Sequence, residues 1–132
     1  MGPFSICIPG VDPFGVAIDR VVNGQRVGQH AVDVKRPAKV DKSSTCHLLY
    51  LGGLKGPALA EAISAVKGAP VLTVTESQGP DDPRGMIDFR FRGRRVRFTI
   101  DQDAVRQSGL IVSSKLLDLA ASMRQRRLKA HG

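Results

Sequence analysis

Between Met86 and Ile100 the chain alternates apolar and charged residues twice, on either side of a glycine that suits only a turn. In the first run Ile87, Phe89 and Phe91 share one face, and Asp88, Arg90 and Arg92 the other. Val96, Phe98 and Ile100 repeat the pattern in the second run. Gly93-Arg94 joins them as a two-residue loop with glycine first, the type II′ hairpin signature, because glycine alone takes positive φ there at little cost. This loop predicts the pairs Arg92 with Arg95, Phe91 with Val96, Arg90 with Arg97, Phe89 with Phe98 and Ile87 with Ile100. A slip of one residue would set apolar groups against charged ones on both faces, so the register is strongly specified.

The polar face of the hairpin then holds Arg90, Arg92, Arg95 and Arg97 as two opposed pairs. Like charges set opposite each other cost a few tenths to about 1 kcal/mol per pair, so this face is either well hydrated or meets an acidic partner. The formal net charge of +8, with an isoelectric point near 10.2, points the same way, toward nucleic acid, anionic lipid or an acidic protein. In the predicted register Phe89, Phe91 and Phe98 face away from the arginines, which weakens a reading in which exposed aromatics stack on RNA bases.

After the hairpin, Asp101 is the expected N-cap of a short helix over residues 102–107, stopped at Gly109. Ser113 or Ser114 caps a second helix from about Lys115, and Arg124, Arg126, Arg127 and Lys129 give it a basic end. Upstream, residues 5–8 read as a buried strand ended by Pro9-Gly10. Asp12 caps a helix whose apolar stripe is Phe14, Ala17, Ile18, Val21 and Val22. Residues 30–34 suit an edge strand, 45–51 a buried strand, 57–66 a helix with Gly68 as its C-cap, and 71–74 another buried strand before a loop over 77–84. Strands separated by helices imply parallel pairing with right-handed crossovers. The expected fold is therefore α/β, a Rossmann-like open sheet with a parallel front half plus a C-terminal antiparallel hairpin and helix. Its 132 residues make one domain, over residues 5–128.

Chemistry-bearing constellations are few. Asp12, Phe14 and Gly15 follow the first strand, where open α/β sheets bind ligands, yet capping explains Asp12 without one. Cys7 and Cys46 fall on strands that such a sheet places side by side, which allows either a disulfide or two separate buried thiols. The histidines have no metal-ligand spacing, and Ser113-Ser114-Lys115 reads as a cap, not a Ser-Lys dyad. No catalytic residue, metal site or cofactor is expected.

The runs Gly85-Met86-Ile87-Asp88-Phe89, Val96-Arg97-Phe98-Thr99-Ile100 and Ser108 to Leu117 resemble the YfiR family, which carries Gly-Met-Ile-Asn-Phe, Val-Arg-Phe-x-Ile and Ala-Gly-Leu-x-Ile-Ser-Ser-Lys-Leu-Leu. Asp88 and Ser108 depart from that pattern. Asp12-Pro13-Phe14-Gly15 matches the family's Asp-Pro-Phe-Gly turn, and the likeness extends from Ser5 to about Ala121. The resemblance implies a disulfide between Cys7 and Cys46. It further implies a non-enzymatic periplasmic regulator that represses a membrane-bound diguanylate cyclase by binding its periplasmic sensor part, and so controls cyclic-di-GMP signalling and biofilm formation. An outer-membrane lipoprotein would draw it away, and the family forms dimers. Relative to that family a secretion signal and a first helix are expected to be missing here. The arginine face is the candidate partner surface. The rival expectations are a basic nucleic-acid-binding α/β module and a small-molecule-binding receiver-like domain.

Overall fold

The computed structural model of the chain describes residues 4–9, 24, 26–27, 30–37, 46–77, 81–92 and 95–109, with 26, 27, 91, 92, 95, 96 and 98 described by their backbone. In chain order these form β1 (Phe4–Cys7), β2 (Arg26–Val27), β3 (His30–Lys35), β4 (Leu48–Tyr50), α1 (Gly56–Ala65), β5 (Leu72–Glu76), β6 (Ile87–Arg92), β7 (Arg95–Ile100) and α2 (Gln102–Ser108). Six strands make an open sheet in the order β3-β1-β4-β5-β6-β7, and β2 pairs antiparallel along the outside of β3. Every pair from β3 across to β6 is parallel, and the β6–β7 hairpin is antiparallel. The α/β expectation with a parallel front half holds. Residues 30–34 are a strand as predicted, but not the outermost one, because Arg26 and Val27 pair with Ala31 and His30.

The alternation of each strand divides the core between the two faces of the sheet. Phe4, Ile6, Leu48, Tyr50, Leu72, Val74, Ile87 and Phe89 form one buried cluster, against which Ala104 and Val105 of α2 pack. Cys7, Leu49, Leu51 and Val71 form the other, closed by Leu59, Ala62 and Ile63 of α1 with Val66 just beyond it. Burial on both faces explains why β1 and β4 read as continuous apolar runs instead of alternating ones.

Helix ends follow local chemistry. Asp101 accepts a hydrogen bond from the Ala104 backbone N–H at 3.1 Å, and Gly109, at φ 77°, closes α2 as predicted, with Ser108 as the last helical residue in place of Gln107. For α1 the last residue is Ala65 and the C-cap is Val66, so Gly68 is not the cap; its φ of 82° serves the turn that follows. The strand predicted over 71–74 runs instead over Leu72–Glu76. Its extra residues matter below.

The helix predicted after Asp12, the Asp12, Phe14 and Gly15 turn, and everything beyond Gly109 lie outside the described residues.

Candidate functional site

In the β6–β7 hairpin Arg92 pairs with Arg95, Phe91 with Val96, Arg90 with Arg97, Phe89 with Phe98 and Ile87 with Ile100. This is the register the two-residue loop predicts. Phe89 is 4% exposed and belongs to the core, so it offers no platform for a nucleic-acid base. On the opposite side Arg97 is exposed.

The polar face differs from expectation at Asp88. Alternation puts Asp88 beside the arginines on a face open to water or partner, yet it is 1% exposed. Its carboxylate accepts from the Thr75 hydroxyl at 2.6 Å, the Ser77 backbone N–H at 3.0 Å and the Ser77 hydroxyl at 2.6 Å. All three donors come from β5 and its first residue beyond, the part of the strand that runs past Val74. Arg90 joins this network: its Nε donates to Ser77 Oγ at 3.1 Å and lies 3.4 Å from Asp88 Oδ2. The guanidinium is two-thirds covered, and its Nη2 is buried without a hydrogen-bond partner among the described residues.

Asp88 thus supplies internally part of the anion that the arginine pairs require. It turns Arg90 away from Arg97 and toward β5, so the cost of the directly opposed pair falls. One acid set against Arg90, Arg92, Arg95 and Arg97 leaves the hairpin with surplus positive charge.

The entry to β6 is fixed by the same strand. Thr75 Oγ1 accepts from the Gly85 N–H at 3.0 Å, and Thr73 Oγ1 from the Met86 N–H at 2.9 Å. A Cβ at Gly85 would lie 2.9 Å from the Thr73 carbonyl oxygen, so only glycine admits this approach. The hairpin is therefore mounted on the sheet by buried polar bonds as well as by its apolar face.

Cys7 of β1 forms a disulfide with Cys46, two residues before the adjacent strand β4, with Cα atoms 5.8 Å apart. Beside it, His47 turns to the opposite face, where its ring stacks on Phe4 at 5.1 Å and its Nδ1 accepts from the Ser5 N–H at 3.0 Å.

A match to the YfiR/HmsC-like family model covers residues 1–121. The chain belongs to the YfiR/HmsC-like family. At the level of that family it is a periplasmic regulator of diguanylate cyclase, and the family implies contact with the cyclase's sensor part. The disulfide of this YfiR/HmsC-like chain suits such an oxidising compartment. Among its described residues no helix is long and apolar enough to cross a membrane.

Sequence reasoning also missed a cleft in this YfiR/HmsC-like fold. A cleft of about 230 Å³ opens where β4 and β5 end, lined by Gly52, Leu54, Lys55, Gly56, Leu59, Glu76 and Asp82. Glu76 in its lining accepts a hydrogen bond from the Tyr50 hydroxyl. Carboxyl ends of strands are where open α/β sheets form crevices, but the residues that shape this one are scattered over thirty positions without a motif.

Proposed function

We propose that this protein binds the periplasmic sensor part of a membrane-bound diguanylate cyclase through the arginine side of the β6–β7 hairpin, and represses the cyclase without catalysing a reaction. Cyclic-di-GMP signalling and biofilm formation follow from that contact. The family resemblance adds two further partners, an outer-membrane lipoprotein that draws the regulator away and a second copy of the chain. The domain extends over residues 5–128, and nucleic acid is not a ligand.

The observation that carries this reading is the pairing of Arg90 with Arg97 on a rigidly mounted hairpin, with Arg90 tied to Asp88 and Arg97 exposed. Preset positive charge at fixed spacing favours an acidic protein surface and speeds encounter with it. Buried Phe89 argues against the nucleic-acid alternative, since single-stranded nucleic acid is held by stacking as well as by charge.

Arg97 is the better residue to reverse. Arg90→Glu would place a second carboxylate against Asp88 and disturb the fold, whereas the Arg97 side chain makes no hydrogen bond or ion pair among the described residues. Arg97→Glu is expected to weaken binding of the purified sensor part roughly tenfold and to flatten its salt dependence, with thermal stability unchanged. Calorimetric titration at two salt concentrations measures both. Equal affinity for the variant and the wild type, or retention on heparin that survives the substitution, refutes the proposal.

A further inference from the structure

Among the described residues β7 is the last strand on its side of the sheet. Its backbone has a defined polarity. In an antiparallel pair, residues that exchange both hydrogen bonds alternate with residues that exchange none. The pair flanking a two-residue loop is a bonded one, which makes Arg92–Arg95, Arg90–Arg97 and Asp88–Thr99 the bonded pairs. The Asp101 N–H donates to the Met86 carbonyl at 2.7 Å, two residues further along in each strand, and confirms the parity. Val96, Phe98 and Ile100 therefore direct their N–H and C=O groups away from β6.

We infer that this outer edge of β7 receives an extended acidic segment of the partner as an added strand. The inference rests on the reading of the hairpin as the partner surface and specifies how the partner engages it. Main-chain bonds at positions 96, 98 and 100 supply the pairing, and side chains at alternate positions supply the selection. A strand laid along β7 has one row of its residues beside positions 95, 97 and 99, where the chain places Arg95, Arg97 and Thr99. Acidic residues in that row meet the exposed Arg97, while basic ones are repelled. Charges on an edge strand deter indiscriminate pairing, and here the same charges choose the sign of the strand admitted.

Charge also decides against a second copy as the occupant. A symmetric β7-to-β7 pairing brings together two copies of a chain whose net charge is already +8.

Val96→Pro tests the inference. It removes an outward N–H without taking a bond from the β6 ladder, and proline is tolerated on an edge in that orientation. With the full chain and the purified periplasmic sensor part of the cyclase, the variant is expected to bind at least tenfold more weakly than wild type. Amide exchange in the wild-type complex, followed residue by residue by NMR, guards against a folding defect: protection is expected to rise at Val96, Phe98 and Ile100, with little change at Arg95, Arg97 and Thr99, already bonded to β6. Weakened binding by Arg97→Glu together with intact binding by Val96→Pro overturns the added strand and leaves the hairpin surface standing. Intact binding by both variants overturns the surface itself. Protection of the outward amides in the free protein that grows with its concentration assigns the edge to a second copy and also overturns the inference.

Discussion

Replacing Cys7 and Cys46 together by alanine is expected to lower stability by about 4 kcal/mol, which for a chain of this size corresponds to a fall in Tm of roughly 10–20 °C. The bridge joins residues 39 apart in sequence, so breaking it returns a long loop to the unfolded chain. Both cysteines are buried, between β1 and β4 at the centre of the sheet, and the bridge sits in the cluster closed by α1. Urea denaturation of the oxidised wild type, the reduced wild type and the double variant measures the effect. Reduced protein and double variant should fall together, and a difference from oxidised protein below about 1 kcal/mol would show that the bridge contributes little.

The second large effect is expected at Asp88. Asp88→Ala removes the acceptor shared by the Thr75 hydroxyl, the Ser77 hydroxyl and the Ser77 backbone N–H, and leaves Arg90 beside no anion. Hydroxyls rotate to other acceptors, but the backbone N–H cannot, and a partly covered guanidinium loses its counter-charge. A loss of about 3 kcal/mol follows. Asp88→Asn should cost only about 1 kcal/mol, because its amide oxygen still accepts while its NH2 donates to a hydroxyl that has turned round. Denaturation of the two variants decides: equal losses would mean that the site depends on shape, not on its acceptors.

The hairpin was legible in the sequence because two independent signals, the alternation and the Gly-x loop, fix one register between them. The ends of α2 were legible for a similar reason, since Asp101 and Gly109 each carry a specific capping role. Asp88 was not. Alternation states which face a residue occupies but not whether something covers that face, and its partners Thr75 and Ser77 lie 13 and 11 residues away. Strand β2 was missed although Gly28-Gln29, between the paired Val27 and His30, repeats the spacing of Gly93-Arg94. Only two residues precede that loop in the pairing, too few to show a period. The cysteines lay on neighbouring strands in any doubly wound order, so composition left bridge and free thiols open, and the family likeness alone favoured the bridge the structure contains.

The most direct measurement of the hairpin's role is the cyclic-di-GMP level of cells in which Arg97→Glu replaces the wild-type regulator at equal periplasmic abundance. Cyclic-di-GMP should rise toward the level of cells lacking the regulator, with the variant recovered folded and its disulfide formed. Full repression by the folded variant would contradict the account.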